Sequence, residues 1–218
     1  MRYIIMCGGI ETQWKEPRQL LPIHGEPIVA RTIRLLREAG AEDIAISSND
    51  PAFDNFGVPV LHHDNPYNSD GYNKTRAGTW CDCFYPTNEP TTYLMGDVVF
   101  SPAAIQTIVD YQTDDIMFFG SAPPFRPPYP KWYEEPFGFK VYNTDHLHQA
   151  VEDVKRLEAE GKFHRDPIAW EVWNVISKGA DGNINQIDYT SYCRINDYTC
   201  DIDYPSELGI LERLASMP

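Results

Sequence analysis

The chain has 218 residues, 42% hydrophobic and 23% charged, the make-up of an ordinary globular domain with enough apolar material for a sizeable core. It carries 18 Lys and Arg against 32 Asp and Glu, a formal charge of −14. A surface that acidic repels both the phosphate backbone of nucleic acid and anionic membrane, so neither is expected as a partner.

No stretch approaches the apolar length of a membrane span. Residues 1–7 are too short an apolar run for a signal peptide and pass straight into Gly8-Gly9. The five Cys, at 7, 81, 83, 193 and 200, form no repeated framework, and Cys81-x-Cys83 has no second Cys or His pair at zinc-site spacing. The expected compartment is therefore the cytosol. With no repeat, low-complexity tract or clean linker, a single domain over residues 1–218 is expected.

Tyr3 to Cys7 reads as a buried strand ended by two glycines, followed by a polar loop over 10–26. Pro27 opens a helix with Ile28, Thr32, Leu35, Leu36 and Ala39 on one face, ended by Gly40. Strands are expected at 44–47 and 58–61, a helix at 75–84, and a strand at 91–95 that ends on Gly96-Asp97. A helix at 102–111 and a strand at 116–120 follow. Residues 123–136 hold six prolines with Phe125, Tyr129, Trp132 and Tyr133, a stiff aromatic loop expected to form part of an acceptor pocket and close over it, with Arg126 and Lys131 as contacts for an acceptor phosphate; the alternative is that its rings pack on the helix carrying Trp170 and Trp173. Beyond it come a strand at 137–142, helices at 147–159 and 168–176, two edge strands at 184–189 and 192–195 that pair with each other, a short strand at 200–203, and a helix opened by Pro205.

This alternation predicts a Rossmann-like α/β fold, with a mostly parallel central sheet and helices on both faces. In such sheets ligands sit beyond the carboxyl ends of the strands. The glycines after the first strand and Asp97 after a later one are far apart in sequence but would meet there.

Three segments carry candidate chemistry. The first runs from Cys7, Gly8 and Gly9 through Thr12, Lys15 and Arg18 to Gly25-Glu26-Pro27-Ile28. Two glycines let backbone N–H groups approach a ligand, and Lys15 and Arg18 are placed to meet phosphates; taken alone, a Gly-Gly turn after a strand is also simply a turn. The second is Asp97, which alone reads equally as a turn or helix-capping acid. The third is Asp201-Ile202-Asp203-Tyr204-Pro205-Ser206-Glu207, where Asp201 and Asp203 alternate along a strand and share one face. His62-His63-Asp64 and His146-x-His148 lack a third ligand at a telling spacing and read as surface or loop histidines.

Taken together these segments resemble the sugar nucleotidyltransferase superfamily, whose fold is of the glycosyltransferase-A type. Its opening signature is matched in order by Gly8, Gly9, Thr12, Pro17, Leu20, Gly25, Pro27 and Ile28. The sequence departs from it at Glu11, where Gly is usual, at Gln13, which replaces an Arg, and at Arg18, which replaces a Lys. The resemblance implies a magnesium ligand at Asp97 and a second at Asp203, with Asp201 in reserve. The segment Asn65-Pro66-Tyr67 to Tyr72-Asn73-Lys74-Thr75 resembles bacterial choline-phosphate cytidylyltransferases, in which it lies at the nucleotide, so Asn73 and Lys74 join Cys7, Gly8, Gly9 and Thr12 as expected nucleotide contacts. The implied activity is Mg2+-dependent transfer of a nucleoside monophosphate from an NTP, with CTP favoured, to a small phosphorylated acceptor, releasing pyrophosphate. Arg18 and Lys15 would stabilise the leaving group. Two rivals are a glycosyltransferase on the same fold and a nucleotide-binding protein that has lost catalysis. No motif marks residues 121–196, where acceptor choice usually resides in this superfamily.

Overall fold

The computed structural model describes residues 1–8, 14, 16–62, 81, 83–122 and 131–216. The first strand, β1, is Arg2–Met6. After a single 3-10 turn at Arg18–Leu20, β2 (Pro22–Ile23) and β3 (Glu26–Pro27) form a tight antiparallel hairpin. Its two linking residues, His24 and Gly25, have φ of 52° and 81°, the left-handed pair of a type I′ turn, which accounts for the glycine of the Gly-x-Pro-Ile signature. The His24 ring bonds the Glu212 carbonyl at 2.7 Å and so ties this hairpin to the end of the chain.

Helix α1 (Ile28–Glu38) leads to β4 (Asp43–Ser47) and β5 (Val60–Leu61). Then come β6 (Thr91–Met95), β7 (Val98–Val99), α2 (Pro102–Asp110), β8 (Ile116–Ser121) and β9 (Pro136–Val141). Two helices, α3 (Thr144–Ala159) and α4 (Ala169–Lys178), precede β10 (Cys193–Ile195), β11 (Cys200–Asp201) and α5 (Pro205–Ala215).

Seven strands make one sheet in the order β10-β8-β9-β6-β1-β4-β5. β9 runs antiparallel to both its neighbours, and the other pairings of this sheet are parallel. The α/β fold with a mostly parallel sheet is thus the one the alternation of elements predicts. Both faces are covered, as consecutive residues show. Phe118 packs on Trp170 and Trp173 of α4, while the next residue, Phe119, packs edge-on against Tyr111 at the end of α2. Across the ladder, Phe139 joins Phe118, whereas its neighbour Lys140 is buried on the other face and donates to the Ile108 and Val109 carbonyls at 3.0 and 2.8 Å. That cation caps the carbonyl end of α2, where the helix dipole favours positive charge. Each ring pair of this kind contributes about 0.5–1.5 kcal/mol beyond its area burial, and Phe118 makes four of them, with Phe139, Trp170, Trp173 and Tyr192.

A second, smaller core joins Leu21, Ile23 and Ile28 to Val99, Cys200, Ile202, Leu211 and Leu214. Here β7 pairs antiparallel with β11, and the Ile202 N–H donates to the Asp97 carbonyl at 3.2 Å. This ribbon brings residue 97 beside residues 201–203.

Several expected elements are corrected. Residues 184–189 form no strand and do not pair with 192–195; Cys193–Ile195 instead adds to β8 in parallel. The polar side chains of the earlier segment close local turns, as when Asp188 accepts from the Thr190 N–H at 2.9 Å, and such bonds compete with a ladder. Helix α3 starts three residues before the expected Leu147, because Asn143 caps the His146 N–H at 3.1 Å. The helix expected at 75–84 lies almost wholly outside the described residues. No helix among the described residues is long and apolar enough to cross a membrane.

Candidate active site

The site is built where β1 and β6 end side by side. Met6 pairs with Met95, and the Gly96 N–H then donates to the Met6 carbonyl at 3.1 Å. A Cβ on Gly96 would lie 2.5 Å from that carbonyl oxygen and 2.7 Å from the Cys7 sulfur, so only glycine brings the two strand ends this close. Cys7 is buried beneath the turn. Its N–H donates to the Ser47 carbonyl at 2.9 Å and its carbonyl accepts from the Ser48 hydroxyl at 3.0 Å. Burial, then the charge of Asp97, pushes the Cys7 thiol well above its ordinary range, so it stays protonated and acts as floor rather than nucleophile. The Gly8 carbonyl accepts from the Cys83 thiol at 3.2 Å.

Arg18, Asp97 and Asp203 meet. Arg18 Nη2 lies 2.7 Å from Asp97 Oδ2, and Nη1 lies 2.7 Å from Asp203 Oδ1. The same Nη1 donates to the Ile202 carbonyl at 2.6 Å. Trp14 Nε1 donates to the Asp203 carbonyl at 3.2 Å. Arg18, expected to face phosphates, therefore also bridges the two expected metal ligands. Glu207, in the first turn of α5, accepts from the Asp203 and Tyr204 N–H groups at 2.8 and 3.0 Å, which fixes the chain on which Asp203 is carried.

Asp203 Oδ2 turns the other way, to a group that reading strand ends in the sequence does not reveal. It accepts from the Lys131 ammonium, and from the Tyr133 hydroxyl at 3.2 Å. Lys131 Nζ also lies 2.9 Å from Asp201 Oδ1, 3.2 Å from Glu135 Oε1 and 3.8 Å from Glu207 Oε2. Among the described residues Glu135 Oε1 is buried without an aligned hydrogen-bond donor, the ammonium standing 3.2 Å away. Lys131 and Glu135 precede β9, the reversed strand, so its amino end lies where the parallel strands end. The rule that ligands sit at carboxyl ends passes over them. The available signal was the pairing of Lys131 with Glu135, four residues apart, directly before an expected strand.

The electrostatics follow from crowding. Burial pushes the Asp203 carboxyl up, but the Lys131 hydrogen bond and the charges of Lys131 and Arg18 outweigh it and hold Asp203 below the ordinary carboxylate range. Burial, with Asp203 and Asp97 nearby and only partly offset by Lys131, raises Asp201 to about 7. Burial and the Asp201 charge raise Glu135 to about 9. Burial alone would lower Lys131, but Asp201 and Glu135 hold it above its usual value. Among the described residues, Asp97, Glu135, Asp201, Asp203 and Glu207 face only two cations, Arg18 and Lys131. Carboxyl groups pushed upward beside an oxygen with no aligned donor are what such an excess of acid produces. Hard oxygen donors in excess of positive charge fit a divalent ion such as Mg2+ at Asp97 and Asp203, while Glu135, Asp201 and Asp203 offer oxygens within 4.8 Å of one another with the Lys131 ammonium among them.

Of the expected nucleotide and phosphate contacts, Gly9, Thr12, Lys15, Asn73 and Lys74 lie outside the described residues, as do Phe125 and Tyr129 of the aromatic loop. Trp132 is 74% exposed beside the site and does not pack on the α4 tryptophans, which are met instead by Phe118, Tyr189 and Tyr192. The half-buried His146 ring hydrogen-bonds the Asp115 carboxylate at 2.8 Å, at the amino end of β8 and away from this cluster.

Residues 3–157 match the MobA-like NTP transferase domain, well over half of the chain. This chain belongs to that family. The matched span runs from β1 into α3 and holds Arg18, Asp97, Lys131 and Glu135, while Asp201 and Asp203 lie beyond it. A molybdenum cofactor guanylyltransferase of Xanthomonas euvesicatoria pv. vesicatoria (strain 85-10) is 33% identical over 61 residues, 28% of this chain, and the chain spans 31% of that relative's length. A Bacillus anthracis protein solved with sucrose and assigned as a glucose-1-phosphate thymidylyltransferase is similar in fold, with a TM-score of 0.60 at 16% identity, covering 98% of this chain and 94% of its own. The CTP:phosphocholine cytidylyltransferase of Streptococcus pneumoniae gives 0.51 at 15% identity, covering 97% of each. At these identities the likeness is one of fold. The family is one of NTP transferases.

Proposed function

We propose that this chain, acting as one cytosolic domain, transfers a nucleoside monophosphate from an NTP, with CTP favoured, to a small phosphorylated acceptor. The observation that carries the reading is the meeting of Arg18, Asp97 and Asp203, which come from three distant parts of the sequence, at the ends of β1 and β6. Membership of the NTP transferase family supports it, and so does the presence of a phosphocholine cytidylyltransferase among proteins of this fold.

In this reading an acceptor phosphate oxygen attacks the α-phosphorus in line. A P–O bond forms there, the α–β bridging P–O bond breaks, and pyrophosphate leaves with the electron pair. The protein positions the reactants and neutralises charge rather than forming a covalent intermediate. The turn at Gly8 and Gly9, with Thr12, Asn73 and Lys74, binds the nucleotide, and the buried Cys7 supports it. Arg18 and Lys15 stabilise the pyrophosphate. Asp97 and Asp203, with Asp201 behind them, would hold a divalent cation, and Mg2+ bound there would supply charge neutralisation and orientation of the phosphates. Arg18, which spans the same two carboxylates, would turn its guanidinium to the β- and γ-phosphates.

The test is pyrophosphate release from a panel of four NTPs and several phosphorylated acceptors, with and without Mg2+. Release that needs NTP, acceptor and metal together supports the reading. Binding without release under every combination overturns it.

A further inference from the structure

We propose that Lys131 is a built-in cation, whose ammonium takes the place a metal ion would otherwise occupy among Glu135, Asp201 and Asp203 and thereby positions Asp203. The three carboxylates offer oxygens within 4.8 Å of one another, a spacing that suits ligands of a single ion. Lys131 Nζ meets all three, at 3.2 Å from Glu135, at 2.9 Å from Asp201 and in a hydrogen bond to Asp203. Its side chain is 3% exposed, so the ammonium has exchanged water almost wholly for carboxylate oxygens. A fourth acid, Glu207, stands at 3.8 Å, and the Tyr133 ring lies 5.5 Å below the cation. Glu135 Oε1, buried and without a hydrogen bond, faces the same point, and one tethered ammonium does not use up the donor capacity gathered there.

The consequence runs through Asp203. Its Oδ1 is held by Arg18 and its Oδ2 by Lys131 and Tyr133, one cation on each side of the carboxylate. With Lys131 in place Asp203 cannot swing toward Asp201, and Oδ1 stays aimed at Asp97 and Arg18. An ammonium carries one charge and is covalently fixed, so it orders the carboxylates without competing for the metal nucleotide. Lys131 is in these terms a positioning residue. That role rests on the transferase reading above, whereas the occupation of a cation position does not.

The experiment uses the full chain and Mn2+ alone, counting bound ions by the loss of the free-ion electron paramagnetic resonance signal. Lys131→Met is expected to bind one Mn2+ per chain more than wild type, and the gain is expected to vanish in the double variant Lys131→Met, Glu135→Gln. Lys131→Arg restores a cation and is expected to keep the wild-type count. Equal counts for wild type and Lys131→Met overturn the proposal. If Lys131→Met unfolds without metal, Mn2+ is expected to restore its thermal transition while leaving that of wild type in place; a variant unfolded at every Mn2+ concentration overturns the proposal as well. In turnover, Lys131→Met is expected to lower kcat about 100-fold with little change in the KM for NTP, as a displaced carboxylate would, and Lys131→Arg to recover most of the loss. A Mn2+ gain in a chain without transferase activity keeps this inference and sinks the transferase reading. Turnover without a Mn2+ gain does the reverse.

Discussion

Arg18 donates to the Asp203 carboxylate at 2.7 Å across 185 residues of sequence, tying the loop after the first strand to the acid just before the last helix. The same guanidinium reaches Asp97. Three expectations made separately from the sequence thus share one hydrogen-bonded unit, and disturbing any member is expected to be felt by the others.

Asp97→Asn keeps the shape of the side chain and removes its charge. Metal-dependent pyrophosphate release should fall by about 1000-fold, in line with the loss of a group that acts on transition-state charge. The thermal transition should stay close to that of wild type. Release within threefold of wild type at saturating Mg2+ would remove Asp97 from the mechanism.

Arg18→Ala should weaken triphosphate binding roughly 10- to 100-fold, the worth of a hydrogen bond to a charged group. Binding of the monophosphate should change far less. Calorimetric titration with both nucleotides decides the matter, and equal losses would mean that Arg18 serves only to hold Asp97 and Asp203 together.

Gly96→Ala places a methyl group against the Met6 carbonyl and the Cys7 sulfur, at 2.5 and 2.7 Å. Backbone cannot give way as a flexible side chain would, so the strand ends must part, at about 1–3 kcal/mol. A transition lowered by several degrees, with turnover reduced at temperatures where the variant is folded, is the expected result. A variant as stable and active as wild type would show that the closeness of the two strand ends is not needed.

Trp132→Ala addresses the aromatic segment. Trp132 is 74% exposed, so the thermal transition should move by no more than about 1 °C. The KM for the phosphorylated acceptor should rise while the nucleotide affinity holds. If both constants are unchanged, Trp132 has no part in the acceptor pocket.

Lys140→Met leaves the Ile108 and Val109 carbonyls without their donor inside the core. Unfolding should become easier by roughly 2 kcal/mol, which lowers Tm by about 5 °C in a chain of this size, and nucleotide binding below the transition should be unaffected. An unchanged Tm would mean that water or a rearranged helix end replaces the ammonium.

The sheet was legible because short β-branched runs such as Ile4-Ile5 and Ile44-Ala45-Ile46 alternate with helical patterns, and burial on two faces leaves few other ways to read them. The segment 184–189 was misread because Ile184, Ile187 and Tyr189 favour strands by residue type, while Asn183 and Asp188 close turns of their own. Arg18, Asp97 and Asp203 were singled out because each stands at a position of the superfamily's marks, and the fold brings the three together. Lys131 was read only as a contact for an acceptor phosphate, and Glu135 and the reversal of β9 were not read at all. Strand direction depends on which neighbours a strand meets, and no local pattern in Phe137-Gly138-Phe139 records it.

That reversal puts Lys131 and Glu135 at the entry of β9, on the short stretch that leads into Pro136. A graft whose boundary falls between 131 and 136 splits the ammonium from its carboxylate and delivers an unmatched charge to the interior. A chimera in this fold should therefore take residues 131–136 from one parent, which keeps the ammonium and the Glu135 carboxylate together.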